Sequence, residues 1–170
     1  MMKKYLLFLF IPVFLFFYSG LSFGQSGEKV GFVDLSKAFD EYQKTKDFDR
    51  SLEKKGDSKQ KEREKIVEDI RRMRDEVELL NEKARTRKES EIEDKIRSLQ
   101  EFDQATKAEL TKERDDMVRD ILKEMNDVIQ EYGASNSYSI ILNDRVLLFG
   151  NKGLDLTDDI IKILNRNYKR

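Results

Sequence analysis

The stretch of sequence that decides the fold is residues 44–127, which begins KTKDFDRSLEKKGDSKQKEREK over residues 44–65. Of its 84 residues, 48 are charged, one is glycine and none is proline. Such a stretch has too little apolar surface for a globular core, and it is typical of a long helical element in solvent. Apolar segments with β character flank it on both sides. We therefore expect an arm that leaves a small body and returns to it.

A heptad stripe predicts how the arm is built. In its first half the apolar side chains are spaced 4-3-4-3-4, at Ile66, Ile70, Met73, Val77, Leu80 and Ala84. A seam this narrow packs against one partner helix, as in a coiled coil. The partner side chains are Ile92, Ile96 and Leu99, followed by Leu110, Met117, Ile121, Met125 and Val128. The sequence therefore predicts one long antiparallel helical hairpin with its tip near residue 87.

Residues 53–65 interrupt this seam, because they hold no apolar side chain and include Gly56. With a tip near residue 87 they would face residues 109–121. We expect a flexible joint here, since a segment with little buried area opens easily. The alternative is a straight helix supported by opposite charges four residues apart, at ~0.2–0.5 kcal/mol for each pair.

The predicted fold is mainly α with a small β body (α+β). Residues 25–43 and 128–170 form the body, with short β-prone runs at 30–35, 138–142 and 146–149, and residues 44–127 form the arm. Asp34 or Ser36 caps the first helix, the helix of the second limb ends at Tyr132-Gly133, and Thr157 caps the last helix. A body of about 60 residues has a marginal core, so we expect it to be an oligomerisation body. The apolar residues assigned to it are Val30, Phe32, Val33, Ile140, Leu142, Val146 and Leu148.

The first 24 residues have the pattern of a secretory signal peptide. Lys3 and Lys4 precede an apolar run over residues 5–18, and small residues precede a cleavage position after Gly24. The alternative is an uncleaved membrane anchor, because this segment is nearly long enough to span a bilayer. No cysteine follows the run, which excludes a bacterial lipoprotein anchor.

The composition argues against most kinds of catalysis. The chain has no histidine and no cysteine, so it lacks the commonest general base, the commonest metal ligand and every thiol. We predict no enzyme activity, no catalytic residue, no metal and no cofactor. Gly150 to Gly153 lack the pattern of a phosphate-binding loop. Residues 25–170 carry a net charge of −3, which argues against a nucleic-acid partner.

Four positive charges lie close together near the predicted tip, at Lys83, Arg85, Arg87 and Lys88, with no acidic residue among them. They suit contact with anionic lipid headgroups, at ~1 kcal/mol per charge near the surface, or with an acidic partner. The alternative is a loop that is merely soluble.

Both ends of the chain resemble the Skp/OmpH family of periplasmic chaperones. The residues that carry the resemblance are KVGFVDLSKAF at 29–39, Tyr132-Gly133, YSIIL at 138–142, VLLF at 146–149 and LDLTDDII at 154–161. The resemblance implies a jellyfish-like homotrimer in which three helical-hairpin arms enclose a cavity. It implies an ATP-independent holdase that binds unfolded outer-membrane β-barrel proteins in the periplasm and prevents their aggregation.

The family has no catalytic residues, and a role in binding lipopolysaccharide has been suggested for its members. The best-known members are strongly basic, whereas residues 25–170 are net acidic. Met73, Phe102 and Met117 are candidate client contacts, because methionine adapts to irregular partners. The alternative for all three is packing in the hairpin seam.

Two other functions remain open at this point. One is a coiled-coil scaffold or spacer of the cell envelope, held by an uncleaved signal anchor. The other is an adaptor that binds one folded partner. The interrupted seam at residues 53–65 argues against a scaffold, because a strut needs a continuous seam.

Overall fold

The structure is a computed structural model that describes residues 28–169. The predicted signal peptide at residues 1–24 lies outside these residues. In chain order the elements are β1 (Lys29–Val33), α1 (Leu35–Glu41), α2 (Gln43–Val77), α3 (Glu82–Ser135), β2 (Tyr138–Asn143) and α4 (Thr157–Tyr168). The predicted fold class, long helices on a small β body, is confirmed. Among the described residues, no helix has the length and apolar character needed to cross a membrane.

The arm is the antiparallel pair of α2 and α3. Ion pairs between the two limbs run from Lys44–Glu124 beside the body to Lys88–Glu76 beside the tip. The limbs are joined by residues 78–81, so the prediction of a tip near residue 87 was wrong. The reason is local: the Asn81 side chain accepts a hydrogen bond from the Ala84 N–H and caps α3. The heptad pattern continues through this turn and conceals it.

Two strands form the sheet. β1 and β2 pair in parallel, with Val30 opposite Ile140 and Phe32 opposite Leu142. Parallel strands need a crossover connection, and here the crossover consists of α1 and the whole arm. The predicted third strand at residues 146–149 was wrong. After β2, a 3₁₀ turn over Asp144–Val146 redirects the chain, and the Asn143 side chain caps it by accepting from the Arg145 N–H.

The structure confirms some of the predicted helix ends and contradicts others. Of the two predicted candidates, Asp34 caps α1 by accepting a hydrogen bond from the Lys37 N–H at 2.8 Å. Thr157 is not a cap but the first residue of α4, and its buried hydroxyl accepts from the Asp34 N–H at 2.9 Å. α3 continues through Gly133 instead of ending there. A Cβ on Gly133 would lie 3.2 Å from the Ile141 side chain, so this glycine lets β2 approach the helix closely.

The core joins the two ends of the chain. Its buried side chains are Val33, Ala38, Tyr42, Ile121, Met125, Val128, Leu156, Ile160, Ile161 and Leu164. The body therefore includes Ile121 and Met125, which lie within the range 44–127 assigned to the arm from sequence. α4 contributes the buried Ile160, Ile161 and Leu164, with Ile163 partly buried against them.

Candidate functional site

The described residues hold no group of acidic side chains arranged to bind a metal ion. The features that suit binding are three surfaces of different chemistry. One is apolar and lies on the body, one is charged and runs along the arm, and one is at the arm tip.

The apolar surface lies on β2 and on the chain that follows it. We call it the exposed apolar segment, and its members are Ile140, Leu142, Val146, Leu148, Phe149 and Leu154. Leu148 and Phe149 are 107% and 88% exposed, so these two large side chains have almost no contacts within one copy. Large apolar side chains exposed within so short a stretch of chain indicate an interaction surface. The segment contains all four residues from 140 onward that sequence assigned to oligomerisation.

The three assigned residues on β1 lie differently. Val33 is fully buried in the core, and Val30 and Phe32 are half-buried. The ring of Phe32 lies so close to Gly150 that a Cβ there would come within 2.8 Å of it. β1 therefore contributes to the core, while β2 and the residues after it carry the exposed apolar segment.

The arm surface is almost entirely polar. Within the described range 43–120, the exposed large apolar side chains are Val67 and Leu79. Of the predicted client contacts, Met73 is half-buried, Phe102 is half-buried with the Lys59 ammonium 5.7 Å from its ring centre, and Met117 packs against the body core. Each has neighbours within the chain, and the assignment of these three residues to clients stays a prediction.

Residues 53–65 form an unbroken part of α2 that passes through Gly56. They are paired with residues 103–113, not with 109–121 as a tip near residue 87 would require. Ion pairs cross between the limbs, and we call this set the mid-arm ion-pair cluster. Its members are Lys55 with Glu109 at 2.8 Å and with Glu113 at 2.5 Å, Lys59 with Glu109 at 3.8 Å, and Arg63 with Asp103 at 2.9 Å.

The cluster replaces an apolar seam with charge. The hydrogen bond from Lys55 holds the pKa of Glu109 below its usual range, and the same contact raises the pKa of Lys55. The pairs are partly exposed, so solvent screens them and each stabilises the arm only weakly. The flexible joint expected from sequence stays a prediction. In the structure, ion pairs between α2 and α3 support this part of α2.

At the tip, the four predicted basic residues lie in the first two turns of α3 rather than in a loop. Lys88 is paired with Glu76 at 2.7 Å, which raises the pKa of Lys88. Lys83 and Arg87 are exposed, and the Nε atom of Arg85 is buried without a hydrogen-bond partner. Sequence reasoning missed Leu79, which is 87% exposed in the turn, because the heptad stripe runs beside it.

The start of α2 holds a contact that sequence reasoning missed. Tyr42, the residue before α2, is fully buried there. Its hydroxyl donates to Glu124 Oε1 at 2.8 Å, and Lys44 pairs with the other oxygen of Glu124 at 2.7 Å. Burial, followed by the contact with Glu124, raises the pKa of Tyr42. The partners are 80 or more residues apart, so no local pattern in the sequence reveals this contact.

We predict that Glu109→Gln loosens the middle of the arm. The folded arm lowers the pKa of Glu109, so it favours the ionised carboxylate. The ion pairs of this carboxylate therefore stabilise the arm fully above the unfolded glutamate pKa of about 4.3, and this stabilisation is lost as pH falls through the lowered pKa of the folded state. Amide hydrogen exchange at residues 55–63 should be faster in Glu109→Gln at pH 7. The difference from the unsubstituted protein should shrink on acidification or with added salt.

The matched control is Glu101→Gln, an exposed position two turns away on the same limb. Its exchange should match that of the unsubstituted protein. Equal exchange in both variants and the unsubstituted protein at pH 7 would show that the mid-arm ion-pair cluster does not hold the limbs together.

This architecture is also found in known proteins. The model of the family described as "Outer membrane protein (OmpH-like)" matches residues 29–164. Among solved structures, the chain is similar to an OmpH-like protein of Caulobacter crescentus CB15 that is proposed to be an outer membrane chaperone. The TM-score is 0.75 and the identity 16%, over 82% of this chain and 85% of that one.

The structural likeness, at this identity, shows the fold alone. A comparison with curated proteins gives no match. The family match covers most of the chain and includes both ends on which the sequence resemblance rests. The chain therefore belongs to the Skp/OmpH family.

Proposed function

We propose that the protein is an ATP-independent holdase chaperone of the periplasm that binds unfolded outer-membrane β-barrel proteins and prevents their aggregation. The observation that carries the proposal is the arm, in a chain that belongs to the OmpH-like family. α2 has 35 residues, so the arm reaches about 50 Å at 1.5 Å per residue. An arm of this length without a core of its own is suited to enclosing another chain. The proposal includes no enzyme activity and no cofactor.

The proposal includes a homotrimer joined through the bodies. The exposed apolar segment supports it, because association would remove these side chains from water. The two-stranded sheet supports it as well, since it has edges that a second copy can cover. The number three comes from the family resemblance.

Clients would be held by many weak contacts along the arms. The charged arm surface offers adaptable polar contacts, and the half-buried Met73 and Phe102 offer apolar ones. Met117 would contribute only where a client reaches the base of the arm. Limbs joined by exposed ion pairs separate at low cost, which would adjust the cavity to clients of different size.

The first test is light scattering as an outer-membrane β-barrel protein is diluted from urea, with residues 25–170 and without nucleotide. We expect suppression of aggregation at about one oligomer per client. The control is a folded protein of similar size and charge, which should leave the scattering unchanged. A folded, oligomeric protein that gives no suppression would rule out the holdase.

One observation favours the scaffold as a second candidate. α2 is unbroken through residues 53–65, which suits a strut, although ion pairs and not apolar side chains join the limbs there. Membrane fractionation separates the two functions. A protein that retains residues 1–24, stays with the membrane and does not suppress aggregation would be a scaffold. A protein released into the soluble periplasmic fraction would not be.

The oligomer has its own test in Leu148→Asp. Leu148 is fully exposed in one copy, so the substitution should leave the fold of that copy intact, whereas a buried charge in an interface is costly. Multi-angle light scattering should show about three times the mass of one copy for the unsubstituted protein and a single copy for the variant.

The matched control is Leu79→Asp, which places the same charge on an exposed leucine at the arm tip. Its mass should equal that of the unsubstituted protein. An unchanged mass for Leu148→Asp would move the interface away from the exposed apolar segment, and a monomeric unsubstituted protein would refute the trimer.

We also propose that the arm tip contacts anionic lipid, including lipopolysaccharide. Support comes from the exposed Lys83 and Arg87 and from the exposed Leu79 in the turn before α3. Replacing Lys83, Arg85, Arg87 and Lys88 with Gln should reduce co-sedimentation with phosphatidylglycerol vesicles. Each lost charge removes ~1 kcal/mol of attraction near the surface.

The control replaces four exposed lysines elsewhere on the arm with Gln, at Lys46, Lys54, Lys61 and Lys65. It should keep the binding that the tip variant loses. Equal binding by the two variants would refute a tip-specific contact.

A further inference from the structure

The chain between α1 and α2 breaks at one residue. Tyr42 has φ and ψ of −67° and 125°, which is extended backbone between two helices. Such a break leaves N–H groups at the start of α2 and C=O groups at the end of α1 without partners in their own helix. Tyr42 occupies the N-cap position of α2, but its side chain makes no capping hydrogen bond.

The cap comes from α4 instead. Asn165 Oδ1 accepts a hydrogen bond from the Gln43 N–H at 2.7 Å, and Asn165 Nδ2 donates to the Glu41 C=O at 3.4 Å. In a continuous helix, the N–H of Gln43 would bond to the C=O of Phe39, four residues earlier. One side-chain amide therefore provides a partner on each side of the break, from 122 residues away in the sequence.

We propose that Asn165 is a positioning residue that caps α2 from another helix and thereby fixes the first limb of the arm to the body. The neighbouring contacts agree with this role. Tyr168 lies one turn further along α4 and packs edge-to-face on Tyr42, with ring centres 5.9 Å apart. Thr45, in the first turn of α2, is 3% exposed. The role of Asn165 does not depend on the proposed chaperone activity.

The two limbs are consequently held in different ways. α3 runs without a break from the tip into the body, where Ile121 and Met125 are buried in the core. α2 starts anew at the body surface, where its first turn depends on Tyr42 and on the amide of Asn165. The root of α2 is therefore held by the burial of Tyr42 and by its contact with Glu124, and the amide of Asn165 is the group that caps the first turn.

The test is amide hydrogen exchange at Gln43 and its neighbours, measured by NMR on residues 25–170. Loss of a helix cap should make exchange in the first turn of α2 about 2- to 30-fold faster in Asn165→Ala. Asn165→Asp keeps an acceptor oxygen for the Gln43 N–H and should stay close to the unsubstituted rate. Asn167→Ala is the matched control, since it removes an exposed asparagine from the same helix, and its rate should not change.

A distance measurement reports the position of the limb itself. The chain has no cysteine, so spin labels can be placed at Glu53→Cys on α2 and Lys162→Cys on α4. The distance distribution should be narrow in the unsubstituted background, Asn165→Asp and Asn167→Ala, and broader in Asn165→Ala.

Unchanged exchange and an unchanged distance distribution in Asn165→Ala would overturn the proposal and leave apolar packing as the attachment. Equally fast exchange in Asn165→Ala and Asn165→Asp would also overturn it, because the acceptor oxygen would then be irrelevant. Should Asn165→Ala fail to fold, the Asp variant decides alone: slow exchange at Gln43 supports the cap, and fast exchange refutes it.

Discussion

The burial of side chains from both ends of the chain in one small core is the interaction on which the rest of the structure depends. α1 and β1 come from the start of the described chain and α4 from its end, and the base of α3 packs between them. The arm has few buried residues of its own, chiefly Thr45, Ile70 and Ile92. An isolated hairpin with so little apolar burial would be marginal in water, so the arm is ordered because its base is fixed.

This dependence explains why charge can replace apolar packing in the middle of the arm. Exposed ion pairs contribute little net free energy, but they set which residues of the two limbs face each other. Lys55 lies between Glu109 and Glu113, one turn apart on α3, and holds the register where α2 has no apolar side chain. Since the core already holds the base, the pairs need only align the limbs.

Local sequence patterns were enough to predict the arm, the body and Asp34 as one of two candidate caps of α1. The tip was misplaced because Leu80 and Ala84 continue the heptad spacing across a turn that ends at Asn81, the cap of α3. The run at 146–149 has strand composition, but Asn143 starts a 3₁₀ turn before it. Glu124 and Asn165 could not be found, since their partners are 80 or more residues away and polar residues on a helix surface give no signal of a distant contact.

The distribution of apolar surface separates the two tasks of the proposed chaperone. Exposed apolar side chains concentrate on the body, while the described arm exposes little beyond Val67 and Leu79. Arms rich in both charges are favourable in solvent, whereas association of the bodies would remove the exposed apolar segment from water. Once other copies cover these segments, an unfolded client would meet only the polar arms. In the proposed chaperone, assembly would therefore precede client binding, because a single copy would offer its client the same surface that it needs for assembly.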